Sequence, residues 1–129
     1  MPGRPIILDT NFLLVPFKFK INIIAEIDYL VDRSHSYIVC SQTIEELKKI
    51  SKARSKDGIA ARLALKMVSA NEKIIEVVEN NEFVDDWIVN YAKENRAIAC
   101  TNDSGLRARL KKLKIKTITL KSRTKLGYI

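Results

Sequence analysis

Apolar positions recur along this chain in two rhythms, and the exchange between them outlines the fold. Pro5-Ile6-Ile7-Leu8, Tyr37-Ile38-Val39-Cys40, Lys73 to Val78, Ile98 to Thr101 and Lys116 to Leu120 are short runs rich in β-branched residues. Such runs read as buried strands. Between them the spacing changes to that of helices. Ile23 or Ile24, Ile27, Leu30 and Val31 predict a helix over Ile21 to Arg33. Ile44, Leu47 and Ile50 predict another, with Ser41 placed as its N-cap. Asp57-Gly58 begins a third, carrying Leu63, Leu65, Met67 and Val68. Asp85 and Asp86 open a fourth with Trp87, Ile88, Tyr91 and Ala92 on its buried side. Asn102 or Asp103 caps a fifth, strongly basic helix reaching Leu113.

Phe12 to Phe17 is apolar but broken by Pro16, which predicts a turn or short helix over the sheet edge. Asn80-Asn81 reads as loop, and Lys121 to Ile129 as a basic tail. Strands alternating with helices throughout predict an α/β fold, a parallel sheet with helices on both faces. The 129 residues fit a single domain, 1–129, that needs neither disulfides nor a structural metal.

Composition narrows the function. Apolar residues make up 47% and charged residues 29%, a globular balance that argues against disorder. No apolar run approaches the roughly 18 residues of a membrane span, and the N-terminus lacks a signal peptide's order of basic, apolar and small residues. A cytoplasmic protein without membrane contact is expected. Cys40 and Cys100 each end an apolar run, show no CxxC spacing and read as small core residues. His35, between Ser34 and Ser36, reads as a solvated turn residue, with a general base as the lesser alternative.

The net charge of +8 is unevenly placed. From Ser104 onward there are nine Lys or Arg and no acid, and Lys48 to Lys66 holds seven against the single acid Asp57. Between Glu72 and Asp86 lie six acids and one cation, Lys73. A basic surface around an acidic focus favours a polyanion, most often nucleic acid. The plainer reading is a well-solvated surface of the kind common in thermophiles.

The candidate chemistry comes from where the acids fall. Right-handed crossovers make successive strands parallel, so whatever follows each strand emerges at one edge of the sheet. Asp9 follows the first strand, Glu45 and Glu46 the second, Asp85 and Asp86 the third, and Asp103 the fourth. Each alone reads as a helix cap or first-turn acid, stabilised by the helix dipole. Together they gather like charges whose mutual repulsion a divalent cation removes. Oxygen donors of this kind suit Mg²⁺ or Mn²⁺, and no Cys or His cluster suggests zinc. An acid-held metal in basic surroundings fits phosphodiester hydrolysis.

These residues also carry a resemblance. Asp9-Thr10-Asn11, Ile44-Glu45-Glu46-Leu47, Asp85-Asp86-Trp87-Ile88 with Ala92, and Thr101-Asn102-Asp103 resemble the four acidic motifs of PIN-domain ribonucleases, in order and over essentially the whole chain. Within the family they look most like small single-domain proteins related to ribosomal RNA-processing nucleases and their archaeal relatives. The resemblance implies a three-layer α/β/α fold with a five-stranded parallel sheet and a Mg²⁺- or Mn²⁺-dependent endoribonuclease. It assigns Asp9, Glu46, Asp85 and Asp103 as metal-binding and catalytic acids. Glu46 is preferred to Glu45 because it precedes Leu47, and Asp85 is preferred because Ile88 and Ala92 follow at the family's offsets. Asn11, Glu45, Asp86, Thr101 and Asn102 become supporting residues.

Many relatives carry another acid two residues after the last motif Asp. Here that place is Gly105, which implies a weaker second metal or turnover dependent on substrate. The family's strand order also puts the first strand between those ending in Cys40 and Cys100, roughly 9 to 10 Å apart and too far for a disulfide.

Lys48, Lys49, Lys52, Arg107, Arg109, Lys111 and Lys112 are the expected phosphate contacts. The function expected is cleavage of ribosomal or other structured RNA. Two alternatives accompany it: a non-catalytic RNA-binding ribosome-assembly factor of the same fold, and the toxin of a toxin–antitoxin pair with an antitoxin partner. By the same resemblance a homodimer is an expected state. A phosphoacceptor domain is the weakest reading, since Asp9 is followed by Thr10-Asn11 and not by a second acid.

Overall fold

Ile6, Ile7 and Leu8 lie in the first strand of the sheet and are all buried, as a strand covered on both faces requires. The computed structural model describes residues 3–31 and 33–129. In chain order its elements are β1 (Arg4–Leu8), α1 (Thr10–Leu13), α2 (Val15–Phe19), α3 (Ile23–Leu30), β2 (His35–Cys40), α4 (Ser41–Ile50), α5 (Lys56–Ala70), β3 (Ile75–Val78), α6 (Val84–Asn95), β4 (Ile98–Cys100), α7 (Ser104–Lys112), β5 (Thr117–Ser122) and β6 (Lys125–Tyr128). The sheet order is β3-β2-β1-β4-β5-β6. The first five strands pair in parallel, and β6 pairs antiparallel with β5.

Alternation along β1 divides the core in two. Ile6 and Leu8 join a larger cluster with Phe12, Leu13, Ile23, Ile27, Leu47, Ala61 and Ala64. Ile7 faces the other way, into a cluster with Ile88, Val89, Ala92, Leu106 and Leu110. The sheet therefore carries α1–α5 on one side and α6–α7 on the other, the three-layer arrangement that the sequence predicts. No helix among the described residues is long and apolar enough to cross a membrane.

Several expectations need correction. The sheet has six strands, not five, because Lys121 to Ile129 is not a tail. It forms most of a hairpin in which Ser122 pairs with Lys125 across Arg123-Thr124, and Leu126 is buried. The predicted helix over Ile21 to Arg33 is shorter, ending at Leu30 with Val31 as its C-cap; its expected end crosses Asp32, which lies outside the described residues. The helix following β2 is capped at Cys40, not Ser41, and without a side-chain bond. The Ser41 hydroxyl instead accepts the Asn80 amide N–H at 3.3 Å, tying α4 to the loop after β3.

His35 is no solvated turn residue. It opens β2 half-buried, with Nε2 2.7 Å from Asp28 Oδ1 and Nδ1 2.7 Å from the Arg33 carbonyl. The Tyr37 hydroxyl donates to the same Asp28 oxygen at 2.5 Å, so the three side chains join the start of β2 to α3. Cys40 and Cys100 are buried and unbridged, with β1 between their strands.

The passage from α4 to α5 depends on close approach. Gly58, buried in the first turn of α5, lies so near the Ala53 carbonyl that any Cβ would overlap its oxygen. Gly58→Ala must therefore push the two helices apart. The expected loss is about 1–3 kcal/mol, seen as a lower urea midpoint at unchanged slope. An unchanged midpoint would show that the turn gives way freely.

Candidate active site

Asp9 ends β1 and caps α1 in extended conformation. Its N–H completes the ladder to the Cys100 carbonyl at 3.0 Å, and its own carbonyl accepts the Leu13 N–H at 3.0 Å. The backbone is thus fixed from both sides. Its carboxylate is also surrounded by donors: Oδ1 accepts the Thr10 N–H at 2.8 Å, while Oδ2 accepts the Thr101 hydroxyl at 2.7 Å and the Asn11 amide at 3.2 Å. Only 6% of the residue is exposed.

The other acids arrive from separate helices. Glu46 sits in the middle of α4, one turn before Ile50, so both side chains lie on the face turned to Asp9. The Thr10 hydroxyl donates to Glu46 Oε2 at 3.1 Å. Asp85 stands in the first turn of α6. Asp103 caps α7, its Oδ2 accepting the Leu106 N–H at 2.7 Å. These four acids line one pocket of about 210 Å³ together with Thr10, Asn11, Leu14, Ile50 and Val84. Among the described residues no three Asp, Glu, His or Cys side chains already converge as a finished ligand set; the carboxylates rim the pocket and do not meet at a point.

The supporting residues divide by what they touch. Thr101 orients Asp9 and accepts the Asp103 N–H at 3.1 Å, connecting two of the acids through one hydroxyl. Asn11 braces the same pair of segments, its Oδ1 accepting the Asn102 N–H at 2.9 Å. Asn102 has an architectural task in place of the expected ligand-orienting one: its Oδ1 accepts the Leu120 N–H at 2.9 Å and the Thr119 hydroxyl at 3.0 Å, pinning the β4–α7 loop to β5. Glu45 is exposed and outside the pocket lining. Asp86 pairs with Arg109 at 2.9 Å, joining α6 to α7. Sequence reading missed Thr10, whose hydroxyl reaches Glu46; its place beside Asp9 was visible, but not the direction of its side chain.

Two of the seven expected phosphate contacts also have protein partners. Arg109 holds Asp86, and Arg107 donates to the Thr119 hydroxyl at 3.4 Å. Lys111 and Lys112 lie near the end of α7, roughly 12 Å along the helix from Asp103 at 1.5 Å per residue. Lys48, Lys49 and Lys52 are exposed at the end of α4, next to the pocket residue Ile50.

Electrostatics reveals what the pocket lacks. Burial raises the Asp9 carboxyl above its ordinary range; the Thr101 and Thr10 donors oppose that rise, and nearby Asp85 and Glu46 add to it. Asp85 is raised by desolvation and by Asp103, against the opposing Arg109. No Lys, Arg or His lines the pocket, so its negative charge is not balanced from within. An all-oxygen donor set with uncompensated charge suits a hard divalent cation, which Asp9, Glu46, Asp85 and Asp103 would hold.

Comparison with known proteins agrees with this geometry. A family model described as a PIN like domain matches residues 6–123. The chain belongs to the PIN-domain family. Ribonuclease VapC4 of Methanocaldococcus jannaschii is 38% identical over 109 residues, 81% of this chain and 81% of that protein. Among solved structures, the PIN domain endonuclease Utp24 superposes with a TM-score of 0.78 at 22% identity, covering 96% of this chain and 90% of that one. A domain of a functionally unknown protein from Methanocaldococcus jannaschii gives 0.64 at 19% identity, covering 92% of each. At these identities the two structures establish the fold alone.

Gly105 holds the position at which many PIN relatives carry a further acid. A Cβ there would make ordinary contact with Asp103 Oδ2 at 3.4 Å, so space does not exclude a side chain.

The raised carboxyls set a pH dependence for metal binding. Between the ordinary carboxylate range, about pH 4, and neutrality, Asp9 and Asp85 keep protons that a cation must displace. Calorimetric titration with Mn²⁺ in buffers of different ionisation enthalpy is expected to show proton release near pH 5 that fades by pH 8. Mn²⁺ should also raise the melting temperature near neutral pH by a few degrees. An equal rise in Asp9→Asn would remove Asp9 from the cation's ligands.

Proposed function

We propose that this PIN domain is an endoribonuclease that hydrolyses RNA phosphodiester bonds with Mg²⁺ or Mn²⁺ held by Asp9, Glu46, Asp85 and Asp103. The observation that carries the reading is the convergence of four carboxylates, from four separate stretches, on one pocket whose lining contains no cationic side chain. Kinship with a protein named a ribonuclease, at 38% identity, supports RNA as the substrate.

When bound, the metal supplies positive charge for the phosphate and its leaving oxygen and makes a nearby water more acidic. The chain's own residues prepare the place. Three donors hold Asp9 in one rotamer, so its carboxylate need not reorganise when a ligand arrives. The Thr10 hydroxyl does the same for Glu46. Asp103 uses Oδ2 to cap α7, which leaves Oδ1 as the oxygen offered to the ion. Leu14, Ile50 and Val84 give the pocket an apolar wall, against which a ribose or base edge packs while the phosphate faces the acids.

Two physiological roles fit the same cut. One is processing of ribosomal or other structured RNA; the other is the toxin of a toxin–antitoxin pair, with an antitoxin partner. Kinship with Ribonuclease VapC4 favours the second. The two buried, unbridged thiols support a reducing compartment such as the cytoplasm.

The direct test is cleavage of a labelled structured RNA with Mn²⁺ by wild type, Asp9→Asn and Asp103→Asn. Asn is also a good N-cap, so Asp103→Asn keeps α7 while removing the charge. A loss of about 100-fold or more is expected in each variant, corresponding to several kcal/mol of charge stabilisation. Equal activity in all three would overturn the assignment; metal-independent RNA binding without cutting would favour the assembly factor.

Phosphate contact is expected to lie closer to α4 than to the end of α7. Lys49→Glu should weaken RNA binding and lower the salt slope by about one, whereas Lys112→Glu should do so less. The reverse order in salt-dependent binding curves would place the strand along α7.

A further inference from the structure

The loop between β3 and α6 is tied down closely. Asn80 lies at its centre: its N–H donates to Ser41 Oγ at 3.3 Å, its Oδ1 accepts from Ser41 Oγ at 3.3 Å and from the Gln42 N–H at 3.4 Å, and its carbonyl accepts the Gln42 side-chain amide at 3.4 Å. Its own amide donates to the Glu82 carbonyl at 2.9 Å, and Asn90 of α6 donates to Glu82 Oε2 at 3.3 Å. The loop is thereby fixed to α4, which carries Glu46, and to α6, which carries Asp85.

This braced loop ends in an apolar residue directed into water. Phe83 is 82% exposed, although its carbonyl accepts the Trp87 N–H at 2.9 Å and its backbone is therefore held by the helix it caps. The next two aromatic residues on α6 behave differently. Trp87 is buried to 7% and stacks on Tyr91 at 4.9 Å between centroids. Phe83 belongs to neither core cluster.

Its position gives that exposure a use. Phe83 immediately precedes Val84 and Asp85, both of which line the acidic pocket, so its Cα is about 3.8 Å from that of a pocket residue. Its chain neighbours Glu82, Asp85 and Asp86 repel phosphate. What an exposed ring among acids, beside a phosphodiester-binding pocket, can accept is the neutral face of a base. Base–aromatic stacking is tolerant of sequence and strong per contact.

We propose that Phe83 is a stacking platform for one unpaired nucleobase of the RNA beside the scissile phosphate, a positioning residue that sets the register of the strand in the pocket. The proposal rests on the endoribonuclease reading above. It also selects the form of the substrate, because a base must be unstacked, in a loop, bulge or single strand, before the ring can cover it.

The test uses the full chain and a short fluorescein-labelled single-stranded RNA of mixed sequence, with the same strand made abasic at each position in turn. Binding is measured in the Asp9→Asn background, so cleavage does not interfere, and cutting is measured in the Asp9 enzyme with Mn²⁺. Phe83→Ala is expected to weaken binding roughly 5- to 100-fold and to blur the cut position, while Phe83→Trp restores both. The abasic strand lacking the stacked base should bind Phe83→Ala and the Phe83 protein alike.

Full rescue by Phe83→Leu would replace stacking with plain apolar contact and overturn the proposal. So would unchanged binding and register in Phe83→Ala while Asp9→Asn abolishes cutting, a result that leaves the nuclease reading intact. If the wild type neither binds nor cuts the RNA, the nuclease reading fails and the platform fails with it.

Discussion

A buried carboxylate at the carboxyl end of β1 is the constraint on which the rest of the structure turns. Asp9 is almost removed from water, yet Asp85 and Glu46 lie close enough to raise its carboxyl further. An ionised group in that setting persists only if hydrogen bonds hold it and something positive offsets its neighbours. The chain supplies the first through Thr10, Asn11 and Thr101 and leaves the second to a ligand. Affinity for a cation and electrostatic strain in the free protein are therefore one property seen from two sides.

Topology explains why the strain is concentrated there. The chain runs outward from β1 through β2 to β3, then crosses back to lay β4 on the opposite side of β1. Between β1 and β4 the order reverses, and the connections leave a crevice at the carboxyl edge. Asp9 and Thr101 follow those two strands, so the 2.7 Å bond between them closes the floor of the crevice. Asn11 and Asn102 add a second bridge at 2.9 Å, and Asn102 extends it to β5. Across the mouth, Arg109 and Asp86 hold α7 to α6. The acids are positioned by short polar residues whose own bonds are all local to this edge.

Much of this was readable before any coordinates, because two features of the sequence report it directly. Short apolar runs mark strands, and parallel topology then sends every residue after a strand to one edge; Asp9, Glu46, Asp85 and Asp103 needed no more than that. The final hairpin was not readable, since Arg123-Thr124 lacks the Asn-Gly or Gly-led pair that announces a two-residue turn. His35 was misread for a similar reason: its partners Asp28 and Tyr37 are joined to it by packing, not by a local pattern. Ser41 looks like a cap in sequence, but its hydroxyl is taken by Asn80, nearly forty residues away. Asn102 was credited with ligand chemistry because it adjoins Asp103, whereas its oxygen is already occupied by β5. Local rules foresee what local geometry decides, and these side chains are decided by distant ones.

Gly105 shows how the same electrostatic constraint bears on the number of ions. A side chain there would meet Asp103 Oδ2 at ordinary contact distance, so neither sterics nor backbone conformation demands a glycine. The relevant cost is charge. Asp103 already raises Asp85, and another carboxylate beside it would increase repulsion across a pocket that contains no side-chain cation. Such an acid is supportable when a second cation shares the site and is a burden when it does not. With glycine in that place the charge to be neutralised is smaller, and the need for a second ion is reduced. Positive charge beyond the first cation must then come from what enters with the RNA or from Lys48, Lys49 and Lys52 at the rim.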